Sequence, residues 1–242
     1  MKKPFNILSM LIMALLVSCG AKAQKPDPIY QKVLPGDVSL VPSRMTSHKV
    51  TYKKGRGTMI YDMHKTTKWG KEVYELAIYF GDESATPDLI YMDINSLGFA
   101  GRRLQMDKAG YTLDLQFDQN TMKGALNPHE GSDYEYREYN KVHPHEAFEP
   151  AVINYAITAL PLKEGYTASI PTMDLNNGSE IIWANIKVEK REKVTIGSRT
   201  FDTWKVISNG IRNKTLWVTT TEAYVIKMKT KGNPGTWQVV VD

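Results

Sequence analysis

The chain has a single cysteine among 242 residues, Cys19. Disulfides within the chain are therefore excluded, and so is any zinc site built on paired cysteines. Long apolar runs are as scarce. The one present, "ILSMLIMALLV" from Ile7 to Val17, falls short of the roughly 20 residues a spanning helix requires. No HExxH pair, no GxSxG elbow and no aspartate-rich cation loop occurs, and "KGNPG" at 231–235 lacks the lysine and serine of a phosphate-binding loop. Nucleic-acid signatures are missing too. No motif asks for a cofactor, and the expectation is a protein that is not an enzyme.

What is present first is an address. Lys2 and Lys3 precede the apolar run, which ends in small residues, the pattern of an export signal. Two cleavage readings compete. "LVSC", Leu16 to Cys19, resembles the bacterial lipobox, whose cysteine is lipidated and becomes the first residue, whereas "AKA" before Gln24 fits an ordinary signal-peptidase site. The lipobox is favoured because the sole cysteine stands where the apolar run stops. Residues 1–18 are then a signal peptide and Cys19 is the lipidation site. Gly20, not an aspartate, follows it, which is compatible with outer-membrane sorting. The expected location is the envelope of a Gram-negative bacterium, anchored in the outer membrane and facing the periplasm; a soluble periplasmic or secreted protein is the alternative.

The formal charge is +5. Removing Lys2 and Lys3 with the signal leaves 29 basic against 26 acidic residues, or +3. The distribution is uneven: residues 44–71 hold eight Lys/Arg against Asp62 alone, while 129–149 hold six Asp/Glu against Arg137 and Lys141. Such segregation gives a basic face that could meet an anionic surface or an envelope protein partner, or is simply a solvated face.

After a proline-rich lead-in (residues 19–47, read as a tether), the dominant period is two. "YTLDLQFD" sets Tyr111, Leu113, Leu115 and Phe117 on one face against Thr112, Asp114, Gln116 and Asp118. Tyr74, Leu76, Ile78 and Phe80 alternate likewise, as do Ile182, Ala184, Ile186 and Val188, then Tyr224, Ile226 and Met228, then Trp237, Val239 and Val241. Turn residues separate these runs. One segment departs: "FEPAVINYAITALP" spaces Phe148, Val152, Ala156 and Leu160 four apart, with Pro150 suited to a first helical turn and Pro161 to a stop. The pattern predicts a mainly β single domain over 48–242, a curved antiparallel sheet or half-barrel around one short helix at about 148–160.

The runs "INYAITALPLKEGYTASIP", "REKVTIGSRTFDTWKV" and "TLWVTTTEAYVIKMKT" resemble the C-terminal half of an exported bacterial family, domain of unknown function 3108. Residues 148–242 carry the resemblance, and "DLIYMDINSLGFAGRRLQ" extends it into 49–126. "GSRTFD" departs from the family at the residues before the hairpin tip. The resemblance implies a curved antiparallel sheet folded about a helix, similar to periplasmic carriers of lipoproteins, and implies no activity.

Candidate sites follow from side-chain chemistry. His143 and His145 flank Pro144, which imposes extended backbone before it, so both imidazoles could face one side, with Glu146, Glu149 or His129 as a third zinc ligand. This is a weak metal candidate beside the reading of a solvated loop leading into a helix, where Glu149 sits favourably near the helix N-terminus. Asp62 and His64 share a strand face but have no marked serine to act on. The aromatic and aliphatic residues Leu113, Leu115, Phe117, Tyr155, Trp183, Trp217 and Trp237 are the candidates to line a cavity for a lipid or other apolar small molecule. The expected function is a non-enzymatic envelope lipoprotein binding such a ligand in the concave face. An envelope scaffold and a metal-dependent hydrolase are the alternatives.

Overall fold

Apolar side chains at every second position can be hidden only if strands pair and bury one face, and the described residues form 14 strands in one continuous antiparallel array. A computed structural model describes residues 45–52, 55–81, 85–118, 120–175, 178–211, 213–231 and 235–240. The segment read as an export signal and Cys19 lie outside them. In chain order the elements are β1 (Met45–Tyr52), β2 (Gly55–Lys68), β3 (Lys71–Phe80), β4 (Asp88–Asp93), β5 (Phe99–Met106), β6 (Tyr111–Asp118), β7 (Thr121–Pro128), β8 (Arg137–Val142), α1 (Ile153–Thr158), β9 (Thr167–Asp174), β10 (Glu180–Ile196), β11 (Arg199–Asn209), β12 (Lys214–Thr219), β13 (Val225–Thr230) and β14 (Gly235–Val239).

The spatial order runs β8 back to β1, then β14 back to β9. Two meanders are thus joined where β1 pairs with β14, and β8 and β9 are left as the two edges. The sheet curls until those edges approach. Lys141 Nζ on β8 donates to the carbonyl of Gly178, in the turn after β9, at 2.6 Å. The array is not closed by strand pairing. Gly124 supplies one bend in β7: its φ is +143°, and a Cβ there would lie 2.0 Å from the Asp114 carbonyl oxygen.

The concave face carries the core. Leu76, Ile90, Met92, Leu115, Met122, Ile170, Ile186, Val188, Val206, Leu216 and Val218 are among its buried residues, together with Ile153, Ala156 and Ile157 of α1. Full burial of each valine, leucine, isoleucine or methionine among them contributes about 1.5–3 kcal/mol.

One sequence expectation is corrected in detail, and one strand breaks its alternation beyond the run expected to alternate. The helix is shorter than 148–160 because Phe148 is drawn into the sheet: its N–H donates to Pro171 O at 2.8 Å and its carbonyl accepts from Met173 N–H at 2.9 Å. A residue held by a strand ladder cannot also start a helix. Alternation also fails partway along β10. A register shift between Val188 and Lys190 leaves one residue unmatched, so Val188 pairs with Val206, yet Val194 pairs with Phe201. The bulge turns the rest of β10 over. Val194 and Ile196 therefore join Phe201, Trp217, Ile226 and Val239 in a second, smaller cluster apart from the main core.

Candidate functional site

Segment 143–149 starts at the packed end of the curled sheet and crosses its interior to β9. His143 N–H donates to Asn120 O in the β6–β7 turn at 2.7 Å, Phe99 N–H at the start of β5 donates to Ala147 O at 2.9 Å, and Phe148 then pairs with β9. Around it Leu97, Phe99, Phe117, Met122, Ala147 and Phe148 are buried. This accounts for "KVHPHEAFEP": it is a plug.

Its histidines do not converge. His143 is buried against the Phe117 ring, 5.7 Å between centroids, and its Nε2 has no hydrogen-bond partner. His145 packs on Trp183 at 5.5 Å. Glu146 Oε1 accepts from Ser96 Oγ at 2.6 Å, and His129 Nε2 lies 3.0 Å from Thr112 Oγ1. Among the described residues, no three His, Cys, Asp or Glu side chains gather as metal ligands. Burial first, then the nearby Lys141 charge, hold the His143 imidazole below the ordinary histidine range. Asp62 and His64 do share a face, His64 Nδ1 lying 4.0 Å from Asp62 and Nε2 3.5 Å from Glu75, but they stand on the open surface.

The opposite end is hollow. A cavity of about 880 Å³ opens there, lined mainly by residues from the first halves of even-numbered strands and the last halves of odd-numbered ones, with Arg102 from the middle of β5 and the segments 133–136 and 149–151 added from outside the strands. Its apolar wall comprises Met59, Ile78, Leu104, Leu113, Leu126 and Met228, with Trp237 alongside. Aromatic hydroxyls stand among them: Tyr61, Tyr111, Tyr134, Tyr136 and Tyr139. Phe80, Tyr134 and Tyr136, at 54%, 46% and 60% exposure, are three of the six exposed large hydrophobic side chains among the described residues, and all three line this cavity. A side pocket of about 50 Å³ adjoins it along α1, sharing Tyr61, Asn154, Met228 and Trp237 and adding Tyr155.

The cavity floor is charged. Arg102 makes a two-pronged contact with Asp88, Nε to Oδ1 at 2.9 Å and Nη2 to Oδ2 at 2.6 Å, and its Nη1 reaches Glu149 Oε1 at 2.9 Å. Asp88 and Glu149 are nearly buried and Arg102 largely so. Burial alone would weaken the guanidinium's hold on its proton, but Glu149 and Asp88 outweigh it, and the net shift is upward. Glu149 also caps the turn into α1, its Oε2 accepting from Ala151 N–H at 2.5 Å. Glu149 therefore stands in the turn ahead of α1 and not in its first turn, which has no acidic residue and no side-chain cap, and it serves the arginine as well. Beside it, the buried Lys214 donates to Pro150 O at 3.0 Å and Asn154 Oδ1 at 3.2 Å. The helix entry is thus gripped by two cations from different strands.

Of the residues expected to line a cavity, Leu113 and Trp237 face the large one and Tyr155 the side pocket. Leu115 and Phe117 belong to the packed end of the core. Trp183 packs on the main core beside His145 and lines neither space. Trp217 belongs to the second cluster, its Nε1 donating to Glu192 at 2.6 Å with Lys227 over its ring. Arg102 and Asp88 were not singled out from the sequence. A signal existed: Arg102 shares the parity of the inward Leu104, and Asp88 that of the inward Ile90, so each puts a charge on an apolar strip.

A family model described as "Protein of unknown function (DUF3108)" matches residues 49–239. The match spans the acidic stretch 127–147, which the resemblance seen in the sequence did not reach. No curated protein and no solved structure matches the chain.

Proposed function

The chain belongs to the family described as "Protein of unknown function (DUF3108)", and from its cavity we propose that it is a non-enzymatic binding protein of the bacterial envelope, holding a lipid or similar amphiphile at the open end of the sheet. One observation carries this reading: about 880 Å³ of space bounded by side chains from both meanders, within the roughly 300–1,000 Å³ typical of small-molecule sites. A folded core has no reason to leave such a volume empty, since voids forfeit packing contacts. The wall joins an apolar part (Leu104, Leu113, Leu126, Met228) to a polar floor (Arg102, Asp88, Glu149). That suits a ligand with a greasy body and a polar end. Burial of an alkyl chain would supply about 0.8 kcal/mol per CH₂.

The test is organic extraction of the purified protein followed by mass spectrometry. An amphiphile in near-stoichiometric amount is expected; an empty extract, with no uptake of added lipid, would overturn the reading. The envelope location rests on the signal and lipobox pattern at Lys2 to Cys19. Cys19→Ser is expected to move the protein from the membrane fraction to the soluble one. If the variant stays in the membrane, the lipid anchor is wrong.

A further inference from the structure

Building on the binding reading above, we infer that the polar end of the ligand is cationic: an amphiphile bearing an amine or a quaternary ammonium. The cavity's charge balance points this way. Five carboxylates line it, Asp88, Asp133, Glu135, Glu149 and Asp174, against three cations, Arg102, Arg137 and Lys214. The described lining therefore carries a net −2, inside a chain whose overall charge is +5.

The positive groups on the floor are committed. Arg102 already meets two carboxylates, and an anionic headgroup would have to displace one of them from a nearly buried, hydrogen-bonded contact. Lys214 directs hydrogen bonds to Pro150 O and Asn154 Oδ1. Asp88 and Glu149 are taken up by Arg102; Asp133, Glu135 and Arg137, by contrast, are exposed on the segment that forms the mouth, two carboxylates against one cation.

The aromatics favour the same sign. Tyr111 and Tyr134 lie with ring centroids 4.5 Å apart, and Tyr136 and Tyr139 continue the wall. Burial, then Tyr134, push the Tyr111 phenol upward, so it stays neutral. Electron-rich ring faces beside carboxylates attract an organic cation and repel an anion. Long-range attraction to the positively charged chain works in the other direction, bringing anions to the protein in general. A preference for the cation can thus arise only at the cavity.

Three probes with the same dodecyl chain decide it, each titrated into the purified protein by calorimetry below its micelle concentration: dodecyltrimethylammonium, dodecyl sulfate and the neutral tetraethylene glycol dodecyl ether. The ammonium is expected to bind at least tenfold tighter than the sulfate, with the ether between. Asp133→Asn together with Glu135→Gln, exposed positions that leave the core untouched, is expected to shrink that ratio at least threefold. Sulfate binding as tightly as the ammonium, or a ratio unchanged in the double variant, would overturn the cationic assignment. All three probes binding without preference would sink this inference and leave the amphiphile reading standing. Failure of all three would sink both.

Discussion

The two ends of the curled sheet are made of the same strands and end differently. At one, segment 143–149 crosses from the β6–β7 turn to β9, and Phe99, Phe117, Met122 and Phe148 fill the space beneath it. At the other, Leu104, Leu113, Leu126 and Trp237 face about 880 Å³ of open volume, with Arg102, Asp88 and Glu149 on its floor. Both are reached by alternating strands, so alternation does not decide which is solid. The difference lies in what crosses the mouth. A backbone segment tied to the sheet by four backbone hydrogen bonds crosses the packed end, and a charged floor with an aromatic rim leaves the other accessible. Close packing and open volume thus fall at opposite ends of one sheet.

The sharpest way to break this division is at the floor. Arg102→Leu would strand Asp88 and Glu149 nearly buried without their cation, and it should cost about 3–5 kcal/mol in a denaturant titration. A cost below about 1 kcal/mol would show the floor to be wetter than its burial implies. Next in size is truncation in the packed core and on the cavity wall. Ile157→Ala removes a fully buried side chain from the packed core and should cost about 2–5 kcal/mol, whereas Leu126→Ala, half-buried on the cavity wall, should cost about 1 kcal/mol or less. Equal losses would mean that the cavity is as tightly packed as the core.

The smallest effect sharpens the comparison through pH. Because burial and Lys141 depress His143, neither the folded nor the unfolded chain protonates it well above about pH 6.5, and it contributes no pH dependence there. Below that value the unfolded chain takes up a proton that the folded chain refuses, so stability falls with pH until the depressed folded value is passed. His143→Leu also removes the unpartnered Nε2 from the plug. It should leave stability near pH 7.5 little changed and flatten the decline between about pH 6.5 and 5. An unchanged slope would place the titrating group elsewhere.

Much of this was legible in the residue pattern. The inward strip of β6, Leu113, Leu115 and Phe117, is buried as its spacing requires, and so are Tyr74, Leu76 and Ile78 of β3. Phe80, on the same strip, stands 54% exposed at the cavity mouth. Periodicity fixes a face; it does not fix how far along the strand that face stays covered. Trp217 shows the second limit, since it stands on the side of the sheet that gained a cluster of its own once the bulge after Val188 turned Val194 and Ile196 over. A single unmatched residue inverts everything beyond it, and no local propensity marks it in this stretch.

By itself, then, the amino-acid sequence determined a β domain with one interrupting helix, because side-chain alternation and the four-residue spacing of Val152, Ala156 and Leu160 act over a few neighbouring residues, although Pro150 falls ahead of the helix and not in its first turn. Only the tertiary structure decided that Arg102 meets Asp88 and Glu149, partners 14 and 47 residues away, and that His143 and His145 part company across a plug. It likewise decided that one end of the sheet is filled and the other hollow. Those outcomes depend on how the strands curl and which connection crosses the interior, a balance of long-range packing and buried charge that no short window of residues contains.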